Sequence, residues 1–195
     1  RHSAATAITE GINGCGRFRY ETSGGVSAYV TRDGTVDLSE CINRLKGLEG
    51  KEQFVNCMDC AAFVVSFSNL LGCELWSSRM DDGEDGYGFL TNPYIPIGCE
   101  NWTSSGSGEA FRFHEVAWTG NCGDDDTIYD ACLKIDGRRG TSAPLRMEEL
   151  PTGMIFSDGS ADAPYVYREC LAAPGDWGYG RCLSQPGTRI RRTVK

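Results

Sequence analysis

The stretch Asn56-Cys57-Met58-Asp59-Cys60-Ala61-Ala62-Phe63-Val64-Val65-Ser66-Phe67-Ser68-Asn69-Leu70-Leu71-Gly72 reads as one helix with its ends marked. Asn56 is a strong N-cap residue, Asp59 sits at the third helical position, and Gly72 is a natural stop. Cys57, Cys60, Ala61, Val64, Phe67, Ser68 and Leu71 recur at helical spacing on one face. Phe63, Val65 and Leu70 add apolar bulk on other sides, so the helix is expected to be buried almost all round. Its burial makes it the centre of the fold, and its first turn carries a thiol. A cysteine there lies at the positive end of the helix dipole, which favours the thiolate.

Downstream, Phe111 to Thr119 and Thr127 to Ile135 read as paired strands around the turn-rich loop Gly120-Asn121-Cys122-Gly123-Asp124-Asp125-Asp126. The chain has two histidines, and His2 lies near a terminus expected to fray, so chemistry that needs an imidazole falls to His114. If the loop is centred on Cys122, His114 faces Asp130 across an antiparallel pair. If it is centred one residue later, the two are diagonal neighbours. Both registers put the side chains on one face, since side-chain direction alternates with period two. An aspartate beside an imidazole holds its tautomer and stabilises its charged form. An ordinary structural histidine in a surface pair is the plainer reading of the same residues.

The first fifty residues read as strands followed by a short helix. Arg17 to Thr22 and Val26 to Thr31 look extended, Asp33-Gly34 offers a turn, and Asp37 with Glu40 can cap a helix through Cys41 to about Gly47. Upstream of Cys57 no side chain stands out as an oxyanion donor, and Gln53 is an unremarkable candidate. Beyond Asp136, Met154-Ile155-Phe156 and Tyr165-Val166-Tyr167 read as strands. Residues 80–88 form an acidic, glycine-rich loop that departs from a calcium-binding loop, because Asn92 stands where that loop requires a glutamate. Asn101-Trp102-Thr103 is a glycosylation sequon, meaningful in a eukaryotic secreted protein.

Val55-Asn56-Cys57-Met58-Asp59-Cys60-Ala61, leading through Phe67 to Leu71-Gly72, resembles the Cys-x-Asp-x-Ala helix of the transglutaminase-like superfamily. Phe113-His114-Glu115-Val116-Ala117-Trp118 resembles that family's histidine strand, and Ile128-Tyr129-Asp130-Ala131 its aspartate strand. Order and spacing both fit over roughly Gln53 to Asp136. Trp118 stands four residues after the histidine, where the family often has a tryptophan directly after or near it. The resemblance implies a Cys57–His114–Asp130 triad that breaks amide or ester bonds through a thioester, as a peptidase, deamidase or protein-glutamine transferase. Together with the helix, it implies an α+β domain in which the nucleophile's helix packs on an antiparallel sheet or small barrel.

Three other readings use the same residues. Asp59-Cys60-Ala61-Ala62-Phe63-Val64 is similar to the Asp-Cys-Ser-Gly-Leu-Val signature of NlpC-type cell-wall peptidases, with Cys60 as nucleophile, His114 as base and Asp126 or Asp130 as the third group. Cys57-Met58-Asp59-Cys60 is also a Cys-x-x-Cys of redox type. Without catalysis, the chain would be a disulfide-stapled binding module.

Composition bounds these choices. A chain of 195 residues suits a single domain, its motif-bearing core falling at about 50–137. A net charge of −8 argues against nucleic acid as partner, and the resemblance implies a protein or peptide substrate. The one basic run, Arg189 to Lys195, reads as a solvated terminus. No apolar run reaches the roughly 18 residues of a membrane span, and no signal-peptide pattern opens the chain. Ten cysteines suggest an oxidising, exported setting. If one of them is a free nucleophile, at least one more is free or paired outside the chain. Neither cofactor nor metal is expected, because Cys57 and Cys60 lack a second closely spaced ligand pair.

Overall fold

The computed structural model describes residues 1–22, 25–48, 53–81, 89–103, 111–136, 148–157, 166–173 and 191–195. Residues 82–88 of the acidic, glycine-rich loop, Tyr165 of the expected 165–167 strand and the first two residues of the basic run fall outside them.

The central helix, α3, spans Cys57–Leu70. Its start is fixed by a reciprocal capping box: Asn56 Oδ1 accepts from Asp59 N at 3.1 Å, and Asp59 Oδ2 accepts from Asn56 N at 3.1 Å. At the other end Gly72 takes φ +77°, the left-handed conformation that stops a helix. Asp59, fully buried, does more than cap. Its carboxylate also accepts from the Ser27 hydroxyl and from the backbone N–H groups of Ala28, Tyr29 and Val30. One side chain therefore folds the 27–30 segment onto the helix start. Each N–H stranded by its loss would cost about 1–3 kcal/mol.

Helix α1 (His2–Gly14) packs against α3. The first residues are thus helical rather than extended or frayed. Ala5, Thr9 and Ile12 recur at helical spacing and are buried against the core. Helix α2 (Leu38–Leu45) is capped by Asp37, whose side chain accepts from Glu40 N at 3.0 Å. Strand β1 (Arg19–Tyr20) joins no hairpin with the 26–31 segment and runs parallel to β2 (Phe54–Val55), which leads directly into α3.

A four-stranded antiparallel sheet lies against α3. Its order is β3 (Trp76–Asp81), β5 (Phe113–Trp118), β6 (Thr127–Tyr129), β9 (Thr152–Ile155). A second sheet runs β4 (Tyr94–Pro96), β7 (Leu133–Asp136), β8 (Glu148–Glu149). This is the expected α+β architecture, with the helix on an antiparallel sheet. Trp118, Tyr129, Phe63, Phe156 and Ile128 are fully buried in the core.

The strand expected over Thr127 to Ile135 is broken. β6 ends at Tyr129, and the chain enters the second sheet at Leu133. The break falls on Asp130, whose carboxylate folds back onto the N–H groups of Cys132 and Leu133. Tyr167 likewise opens the short helix α4 (Tyr167–Leu171) instead of lying in a strand. Nor is the end of the basic run simply solvated. Arg192 N donates to Ser77 O at 2.8 Å, Lys195 N to Gly34 O at 3.0 Å, and Arg192 Nη1 to Glu115 Oε2 at 2.7 Å. The tail therefore lies along the free edge of β3 and joins Arg79 and Ser77 in partnering the buried Glu115 carboxylate.

Candidate active site

β5 and β6 pair with Ala117 opposite Tyr129 and Trp118 opposite Ile128. This register is centred one residue beyond Cys122, so His114 and Asp130 are diagonal rather than directly opposed. The diagonal is closed by a hydrogen bond of 2.9 Å between His114 Nε2 and Asp130 Oδ2, both residues being at most 1% exposed. A carboxylate can only accept, so Nε2 carries the proton.

Asp130 is held by four donors. Besides His114, the Tyr167 hydroxyl donates to Oδ2 at 2.8 Å, and the backbone N–H groups of Cys132 and Leu133 donate to Oδ1 at 2.7 and 3.2 Å. Sequence reading missed Tyr167, because its contact with Asp130 spans 37 positions and no local pattern announces it. Phe111 adds a second constraint. Its ring stacks on the imidazole at 5.7 Å and 15°, which fixes the ring plane and keeps water from that face.

With Nε2 bonded to Asp130, Nδ1 is buried without a hydrogen-bond partner of ordinary geometry. The Cys57 thiol also interacts with the ring. Burial alone would lower the imidazole pKa. The Asp130 charge and hydrogen bond, helped by Cys57, outweigh it and push the value up to about 10. The three candidate residues therefore converge, from a helix start, a strand and a strand end. Cys57 is 4% exposed, and at the start of its helix Cys57 N and Met58 N donate to no described group.

Cys60, one turn further along α3, belongs to different company. Its thiol interacts with that of Cys132. That interaction favours the Cys60 thiolate, but burial and the charges of Asp59 and Asp130 prevail and raise its pKa. Burial foremost, then Cys60, raises Cys132 well above the ordinary thiol range. Burial pushes Cys41 up to about 12. The nine described cysteines stand as thiols.

Gln53 does not reach the site. It is exposed, and its Oε1 accepts from Arg44 Nη2 at 3.4 Å. Asp126, the other possible third group, accepts from Asn121 N and Gly123 N in the β5–β6 turn, and no contact links it to His114. Among the described residues no group of three or more His, Cys, Asp or Glu side chains could hold a metal ion, and no helix is long and apolar enough to cross a membrane. Compared with protein-family models, with curated proteins and with solved structures, the chain matches none.

Proposed function

We propose that the chain is a thiol-dependent acyl-transfer enzyme of transglutaminase-like type, acting on amide or ester bonds of a protein or peptide through Cys57, His114 and Asp130. The observation that carries this reading is the buried imidazole with its two nitrogens divided. Nε2 is given to a carboxylate held by four donors, and Nδ1 is left for a thiol at a helix start. A structural histidine has no need of an unpaired buried nitrogen.

In the reaction, the Cys57 proton resides on His114 and the sulfur adds to the carbonyl carbon. The tetrahedral adduct collapses as His114 protonates the departing amine or alcohol, leaving a thioester. Water or an amine, deprotonated by His114, then attacks the thioester and returns the thiol. Asp130 orients the ring throughout and stabilises its charged form. The Cys60–Cys132 contact favours Cys57 as nucleophile over Cys60, because it turns Cys60 toward a partner other than the base.

The test uses p-nitrophenyl acetate as acyl donor. Mixed briefly with the protein at neutral pH and quenched in acid, it is expected to leave one acetyl group, as a hydroxylamine-labile thioester in the peptide containing Cys57. Acetylation confined to lysines, with no thioester, would contradict the reading.

A further inference from the structure

Addition of a thiolate to a carbonyl moves the C=O electron pair onto oxygen, and catalysis needs donors aimed at that oxyanion. The open backbone N–H of Cys57 supplies one. Gln53, tied to Arg44, does not supply the second.

β1 offers another side chain. It runs parallel to β2 with Tyr20 in register with Val55, two residues before the nucleophile. The backbone at Tyr20 is fixed on both sides: Tyr20 N donates to Ile97 O at 3.0 Å, and Glu21 N donates to Val55 O at 2.8 Å. Ile97 N donates in turn to Cys132 O at 2.7 Å, next to the Asp130 turn, so β1 is clamped between the nucleophile's strand and the base's support. The phenol lies within electrostatic reach of Cys132, Cys57, Tyr94 and Cys60. Its hydroxyl makes no hydrogen bond among the described residues, and the residue as a whole is partly exposed. Burial first, and then those neighbouring groups, raise the phenol pKa, so it remains a donor throughout the working range.

We propose that the Tyr20 hydroxyl is the second oxyanion donor, acting with the Cys57 N–H on the carbonyl oxygen of the acyl donor. This rests on the acyl-transfer reading above. As the S–C bond forms, the C=O pair moves to oxygen and is met by the two donors. On collapse the pair returns, and the leaving group departs with the proton from His114.

Two reactions of the same thiol separate this role from a structural one. Acetylation by p-nitrophenyl acetate passes through an oxyanion, whereas alkylation by iodoacetamide, a displacement at a saturated carbon, does not. Tyr20→Phe is expected to slow acetylation of Cys57 by about 10²–10³-fold and to leave its alkylation rate within about threefold of wild type. Unchanged acetylation overturns the proposal. So does an equal fall in both rates, which would place Tyr20 in the support of the thiol. If Tyr20→Phe shows no cooperative thermal transition, Tyr20→Gln, which returns an N–H donor, takes its place. Acetylation within about tenfold of wild type is then expected, and a loss on the order of 10²-fold or more overturns the proposal. Wild-type protein that alkylates at Cys57 but forms no thioester there removes the acyl-transfer reading itself, and this inference with it.

Discussion

Cys57→Ser is expected to lower release of p-nitrophenol from p-nitrophenyl acetate by about 10³-fold or more under reducing conditions, while Cys60→Ser stays within about threefold of wild type. The asymmetry follows from the two thiols' surroundings. Cys57 stands at the first helical position and interacts with the ring of His114, whose Nδ1 is without a hydrogen-bond partner. Cys60 is 1% exposed and directed to Cys132, and its pKa is raised, so it holds its proton at neutral pH. The opposite pattern, loss in Cys60→Ser with survival in Cys57→Ser, would favour the NlpC-like assignment. Loss in both, with disulfide reduction by the parent protein, would favour a dithiol oxidoreductase, which needs the second thiol to resolve its mixed disulfide.

The second large effect concerns the base. His114→Ala is expected to abolish thioester formation near neutral pH, a loss on the order of 10³-fold or more. Asp130→Asn leaves weaker residual activity, since an amide preserves the outline of the carboxylate but gives up its charge. The amide nitrogen would also face donors, because His114, Tyr167, Cys132 and Leu133 all donate to this group.

The same pair sets a pH dependence of stability. The folded pKa of His114 is raised to about 10 from an ordinary 6.5. Below the ordinary value the imidazole is charged in both folded and unfolded chains, and its contribution is present in full. Above it the unfolded chain loses the proton first, so the contribution declines from about pH 6.5 and is gone once pH passes about 10. His114→Gln carries no such proton. The difference in melting temperature between wild type and His114→Gln should therefore shrink steadily across that window, and a constant difference would contradict the raised value.

The helix that organises the molecule was legible because its signals are local. Asn56, Asp59 and Gly72 mark its ends, and the apolar residues of its first three turns are buried on most sides, whereas Leu70 and Leu71 at its end are exposed. The shared face of His114 and Asp130 was legible from strand alternation, though the turn allowed two registers and the structure takes the diagonal one. What escaped depends on tertiary contact. α1 carries small residues and two glycines, so its periodicity is faint until Ala5, Thr9 and Ile12 meet the core. Tyr167 looked like a strand residue because its neighbours are apolar and β-prone, yet it opens a helix that brings its hydroxyl to Asp130. Gln53 carried no signal beyond standing four residues before Cys57, and its side chain is tied to Arg44. β1, paired beside β2, sets Tyr20 in register with Val55, two residues before the nucleophile, which no upstream pattern suggested.

The central claim is that Cys57 is the reactive thiol of this chain, and competitive alkylation tests it most directly. The native, reduced protein is treated with substoichiometric iodoacetamide at pH 6.5, and the modified cysteine is mapped by mass spectrometry. Cys15 and Cys99 are more exposed than Cys57, so accessibility alone would direct the label to them. The account predicts that Cys57 is labelled first nonetheless, and that His114→Ala removes this preference. Labelling led by Cys15 or Cys99, with Cys57 inert or unaffected by loss of His114, would contradict it.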